Sequence, residues 1–133
     1  MRCVASGCYA WHEWCSAAST SSSEENIYAS ARYINKLNSS FQDVRDPLER
    51  LSFVLGSYNG GSLHIRDAMA LARKYGKNQY KWSDVAEFVL KLSTPQYYND
   101  PVVKYGYMRG HETVTYVVFV CFTILPQLGL WRF

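Results

Sequence analysis

Leu55-Gly56-Ser57-Tyr58-Asn59-Gly60-Gly61 closes an apolar helical run, Leu51 to Leu55, with a polar pair and two glycines. Glycine accepts positive φ and lets another chain or a ligand approach the backbone closely, so a helix is expected to end here. Tyr58 and Asn59 are then held out at a rim. A tyrosine offers a flat apolar face with a hydroxyl tip, and an asparagine a two-way amide. That pairing suits a sugar, whose ring presents C–H faces edged by hydroxyls. It also suits a plain C-cap whose tyrosine packs on a neighbour, and the stretch alone leaves both readings open.

The segments on either side read as helices. Upstream, Asp46 is placed as N-cap, Pro47 as the first helical residue and Glu49 as the third, with Leu48, Leu51, Val54 and Leu55 on the buried face. A helix before it spans about Glu24 to Asn38, capped by Ser22 or Ser23, with Glu24 and Glu25 at its positive end. Ile27, Ala31, Ile34 and Leu37 form its stripe, with Tyr33 at the edge. After the glycines a helix runs from near Ser62 to about Tyr75. Its apolar side is Ile65, Ala68, Met69 and Ala72, and Gly76 ends it. His64 is expected at the surface, with a position pointing to the cleft as the alternative. Lys77 to Lys81 is a polar turn. The next helix is capped by Ser83 and buries Val85, Phe88, Val89 and Leu92, while Trp82 staples onto Ala86 or nearby residues; Ser93-Thr94-Pro95 breaks it. An aromatic loop holds Tyr97, Tyr98, Tyr105 and Tyr107. A last helix starts after Gly110. Glu112 and Tyr116 share one of its faces at i, i+4 spacing. No convincing strand alternation occurs, so the fold expected is all-α.

Composition sets bounds. A chain of 133 residues is one domain at most and long enough for a core. Hydrophobic residues at 48% against 19% charged describe a globular chain. A net charge of +3 is too small to imply a nucleic-acid partner. The cysteines, Cys3, Cys8, Cys15 and Cys121, include no Cys-x-x-Cys pair, so no metal site is assigned even with His12 nearby. Ala5-Ser6-Gly7-Cys8 looks like the end of a lipoprotein signal, but only Cys3 and Val4 lie between Arg2 and this stretch, too few for the apolar run an export signal needs. Val114 to Leu125 is apolar yet too short to span a bilayer. It reads as a buried terminal helix, with a membrane-surface contact as the alternative.

Three ordered blocks carry a resemblance. The Tyr58-Asn59 segment resembles the Ala-x-Tyr-Asn-x-Gly signature of the lytic transglycosylase (SLT, lysozyme-like) family. Asn26-Ile27-Tyr28-Ala29-Ser30-Ala31-Arg32-Tyr33-Ile34-Asn35-Lys36-Leu37 is similar to its Asn-Ile-x-Ala-Gly-x-x-Tyr-Leu-x-x-Leu helix, with Ser30 in place of glycine. Tyr105-Gly106-Tyr107-Met108-Arg109-Gly110-His111-Glu112-Thr113-Val114-Thr115-Tyr116-Val117 resembles the closing block of the membrane-bound lytic murein transglycosylase F type. His64-Ile65-Arg66-Asp67-Ala68 and Tyr97-Tyr98 fit the same subgroup. Three blocks in order are more specific than one motif.

The resemblance implies the C-terminal helical portion of a lysozyme-like domain at about residues 24–117. Residues 1–23 are then an unmatched, disordered lead-in and 118–133 an unmatched apolar tail. It implies cleavage of MurNAc-β-1,4-GlcNAc bonds in peptidoglycan to 1,6-anhydro products, in the cell envelope or periplasm, with no metal or cofactor. One glutamic acid would protonate the leaving oxygen. By the same resemblance Tyr58, Asn59, Gly60 and Tyr116 form the substrate-binding set, Tyr58 hydrogen-bonding near that acid, Asn59 touching the glycan and Tyr116 lining the cleft. Tyr105, Tyr107, Arg109 and Glu112 line or brace it; a buried arginine tied to carboxylates is a common brace for such a loop, and Arg109 is read that way. The family's acid-bearing helix and its Gly-Leu-Met-Gln stretch find no counterpart. Glu13, the sole carboxylate before Glu24, lacks that context, so no catalytic residue is assigned. The pattern stops abruptly at both ends, where all four cysteines lie, as in a fragment or a chain with frame-shifted ends. The alternative is a non-catalytic glycan-binding module; a small membrane-associated protein anchored by Val114 to Leu125 is a third class.

Overall fold

The structure, a computed structural model, describes residues 23–129, and among them it forms helices and no strand. In chain order these are α1 (Ser23–Ser40), α2 (Pro47–Gly60), α3 (Ser62–Lys74), α4 (Trp82–Lys91), the short α5 (Pro95–Tyr98) and α6 (Gly110–Phe119). A π-helical turn, Val120–Ile124, continues α6 into α7 (Leu125–Gln127). The all-α expectation holds. The expected mobility of the lead-in and the family context of Glu13, Cys3, Cys8 and Cys15 lie outside the described residues.

Local chemistry sets the helix ends. Asp46 Oδ1 accepts from the N–H groups of Leu48 and Glu49 at 2.9 and 3.4 Å, and Pro47 follows it. Glu49 does not turn back to complete a capping box. Its carboxylate accepts from the Trp82 N–H at 2.6 Å and ties the start of α4 to that of α2. This changes the expected cap of α4, which begins at Trp82 with Lys81 before it and no side-chain cap. Trp82 packs edge-on against Phe53, its ring 5.4 Å away, instead of stapling along its own helix. At the end of α3, the Lys77 N–H donates to Ala72 O and the Gly76 N–H to Arg73 O, with Gly76 at φ +76°. This paired closure satisfies carbonyls that the helix end leaves free.

Burial in the core follows how many neighbours each helix has. α2 packs against α1, α3 and α6, and α3 also packs against α4. Flanked on two sides, α3 buries more than a stripe: Ile65, Ala68, Met69, Leu71 and Ala72, and also His64 at 1% exposure. His64 is therefore an interior residue, against the surface position expected. On α2 the buried face is Ser52, Phe53, Val54, Gly56 and Ser57, while Leu48 is exposed. Small serines fill interior positions that hydrophobic patterning passes over. α1 lies against α2, and of its stripe only Leu37 is buried; Ile27 and Ile34 are exposed. The connection after it anchors more firmly, with Phe41 and Val44 buried and Phe41 stacked on Phe53 at 5.9 Å.

The C-terminal helix is one-sided. Val117, Cys121 and Leu125 are buried against Leu51, Leu55 and Trp82. Val118, Phe119, Phe122 and Ile124 are exposed, which corrects the expectation of a buried terminal helix. The π-turn, marked by the Leu125 N–H donating to Val120 O, keeps Cys121 and Leu125 on the packed side. Among the described residues no helix is long and apolar enough to cross a membrane.

Two contacts place α6. The buried Asp67 carboxylate accepts from the N–H groups of Lys104 and Tyr105 at 3.2 and 2.9 Å, fastening the 99–109 loop to α3. A Cβ added to Gly110 would stand 1.9 Å from the Val89 carbonyl oxygen, so α6 begins in backbone contact with α4. Gly110→Ala is expected to lower stability by about 3 kcal/mol, because a backbone atom cannot step aside as a side chain would. Gly76→Ala, with open space around it, should cost only about 1 kcal/mol of left-handed strain. Thermal denaturation followed by circular dichroism measures both. Asp67→Asn replaces a doubly accepting carboxylate with one acceptor and should cost about 1–3 kcal/mol. Amide hydrogen exchange should accelerate through residues 99–109 before the rest of the fold.

Candidate functional site

Tyr58, Asn59 and Gly60 occupy the last turn of α2. The helix ends because Gly61 adopts φ +95°, and the Gly61 N–H closes the turn by donating to Ser57 O at 2.8 Å. Across from this turn stands the first half of α6, which packs on α2. The close approach depends on Gly60: a Cβ there would lie 2.3 Å from Met108 Cε and 2.6 Å from Thr113 Oγ1. Gly60 thus makes room for α6, a packing role beside the ligand contact expected of it.

Thr113 is the residue the sequence reading missed. Its side chain is buried, and its hydroxyl donates to Asn59 Oδ1 at 3.0 Å. This fixes the exposed amide and leaves its N–H donors without a partner among the described residues. The two residues are 54 positions apart, so no periodicity within a helix joins them. The clue available was that Thr113 belongs to the same block as Tyr116.

Three tyrosines meet near the end of α2, with Tyr58 their common neighbour. Tyr58 is half-buried, and its ring lies 6.0 Å from that of Tyr33, tilted by 48°. Tyr33, expected as a core-edge aromatic, does pack on the core and also borders Tyr58. Tyr116, one turn along α6 from Thr113, is half-buried against the cluster of Val117, Cys121 and Leu125. Burial pushes the Tyr116 phenol up from its ordinary value, and the neighbouring Tyr58 adds to the effect. A raised phenol stays protonated at neutral pH, so it keeps both its O–H donor and its acceptor lone pairs. The cluster is uncharged: flat rings edged by hydroxyls and one amide.

The remaining expected residues stand in other arrangements. Tyr105 and Tyr107 are exposed on the loop that Asp67 holds, and the Tyr107 ring meets Tyr98 edge-on at 5.8 Å. Arg109 and Glu112 pair at 3.6 Å with more than half of each side chain exposed. Arg109 is therefore not the expected buried brace, and an exposed pair of this kind adds little to stability. Bracing falls to Asp67, whose carboxylate a reading of helix stripes would assign to solvent. Cys121 is buried, with its sulfur 3.9 Å from Ser52 Oγ, and burial raises its thiol pKa. Among the described residues no cluster of histidine, cysteine or carboxylate side chains has the arrangement of a metal site.

Comparison with known proteins adds the family. Residues 16–81 match the model of the transglycosylase SLT domain. The membrane-bound lytic murein transglycosylase F of Desulfosudis oleivorans is 40% identical over 106 residues, covering 78% of this chain and 23% of that protein. The protein of the same name in Maricaulis maris is 39% identical over 94 residues, covering 71% of this chain and 20% of the relative. That of Klebsiella pneumoniae is 40% identical over 93 residues, covering 70% and 18%. The chain spans about a fifth of the length of these curated relatives. With three blocks in order, an all-α fold and these matches, the chain belongs to the lytic transglycosylase SLT family, of the murein transglycosylase F type.

Proposed function

We propose that this chain carries the glycan-binding rim of a lytic transglycosylase domain and that peptidoglycan strands are its ligand in the cell envelope. One observation carries the reading. An exposed asparagine amide, oriented by a buried threonine, stands beside half-buried phenols at the meeting of α2 and α6. Neutral sugars are recognised by stacking on aromatic faces and by hydrogen bonds to hydroxyls, and this cluster supplies both without a charge to desolvate. Tyr58 and Tyr116 would take the apolar sugar face and Asn59 a hydroxyl or acetamido group.

Cleavage in this family's manner needs a carboxylic acid within hydrogen-bond reach of the glycosidic oxygen, followed by attack of the sugar's own 6-hydroxyl on the anomeric carbon. A tyrosine, with a pKa near 10 or above, is a poor proton donor for that step. We assign the acid to no residue of this chain and read its part as binding and positioning. The division proposed is a glycan-contacting unit at 24–117, with the flanks outside it.

The chain is expected to sediment with insoluble sacculi and to release no 1,6-anhydro-muropeptides over hours. Tyr58→Ala and Asn59→Ala should each weaken sacculus binding by about tenfold, the scale of one lost hydrogen bond or ring contact. Thr113→Val should weaken it less, by freeing the Asn59 amide. Chromatography of digests and pull-down isotherms read these outcomes. Release of anhydro products that disappears in Glu13→Gln would instead make Glu13 the acid and the chain an enzyme in its own right. Unchanged binding in both rim variants would remove the proposed site.

A further inference from the structure

A cavity of about 420 Å³ lies on the outer face of α3 and shares no lining residue with the tyrosine cluster. Its apolar lining comes from Met69, Ala70 and Val102. Its polar lining holds donors and no carboxylate: Arg66, Arg73 and Lys74, with the Gln79 amide.

The three cations differ in what they already hold. Arg66 grips the Asp43 carboxylate with both nitrogens, at 2.7 and 3.0 Å, and donates to Ser40 O at 2.6 Å. Its guanidinium also lies 4.3 Å from the Phe41 ring centre. Lys74 is paired with Asp100 at 2.5 Å. Arg66 and Lys74 hold the Asp43 and Asp100 carboxyls below the usual range, so both pairs are neutralised near pH 7. Arg73, in the last turn of α3, is exposed and has no ion-pair partner among the described residues. The cavity lining therefore combines one uncommitted guanidinium, two cations fixed in ion pairs and an aliphatic wall.

We infer that this cavity is a binding site for a short aliphatic carboxylate, such as the C-terminal end of a small peptide, with Arg73 taking the carboxylate. A guanidinium fork matches the two oxygens of a carboxylate. Met69, Ala70 and Val102 accept small alkyl side chains, and Gln79 can meet an amide with donor or acceptor. The volume falls in the range of small-ligand pockets. The lining contains no aromatic ring, so a nucleotide would find no stacking platform. The site does not depend on the glycan reading, and its test contains no glycan.

Titration of the full chain with N-acetyl-alanyl-alanine, followed by backbone amide NMR, should give saturable shifts along residues 66–79. The C-terminal amide of the same dipeptide should bind about tenfold more weakly, having lost one charge-assisted contact. Arg73→Gln should weaken the acid by a similar factor and remove the difference between acid and amide. Because Arg73 is exposed, its melting temperature should match the parent. Ala70→Leu, which fills the cavity from an intermediate surface position, should weaken acid and amide alike. Equal affinity for acid and amide, or an unaltered response in Arg73→Gln, would overturn the assignment. So would inorganic phosphate binding as tightly as the dipeptide, since the aliphatic wall would then contribute nothing.

Discussion

The Asp67 carboxylate is the constraint on which the second half of the molecule depends. It is buried on α3 and accepts two consecutive backbone N–H groups, those of Lys104 and Tyr105. A loop that turns away from its helix exposes amides needing acceptors, and a buried carboxylate is a strong one. From that anchor the chain runs only a few residues to Met108, whose N–H donates to Leu92 O, and then to Gly110 against Val89 O. The direction of α6 is set before the helix begins. Together with these contacts, the anchor brings Met108 and Thr113 to the end of α2.

The rim follows from that geometry. α2 and α6 approach closely at Gly60, which lacks the side chain that would push Met108 and Thr113 away. Thr113 then reaches Asn59, and Tyr116 comes beside Tyr58. Backbone economy at one position thus assembles a polar and aromatic surface from residues far apart in the chain. Tyr33, on α1, joins it through its ring contact with Tyr58. The rings pack on the core with part of their surface, which fixes their positions.

The molecule separates two kinds of polarity. The tyrosine surface is built of phenols and one amide, and burial raises the Tyr116 phenol above its ordinary value. The outer face of α3 is lined by cations, two of them fixed by carboxylates from neighbouring segments. Those ion pairs also join distant pieces: Asp43 belongs to the connection after α1 and Asp100 to the loop after α5. Arg66, Asp43 and Lys74 are each partly exposed, while the Asp100 carboxylate is buried, so the pairs orient these side chains across segments as well as adding modestly to stability.

The sequence by itself determined the helices that local rules control. The Asp46-Pro47 start of α2, the Gly60-Gly61 break, the Gly76 closure and the buried side of α4 were all readable from the residues present. So was family membership, because three motifs in order survive without knowledge of their contacts. Tertiary structure alone decided the rest. Whether Ile34 or Leu48 is buried depends on how many neighbours its helix acquires, and no stripe records that number. His64 went inside because α3 is flanked by α2 and α4. Glu49 left its expected cap for Trp82, and Thr113 found Asn59, through hydrogen bonds spanning 33 and 54 positions. Such partners become neighbours only when whole helices pack, since local spacing constrains a side chain's direction and not the element that will meet it.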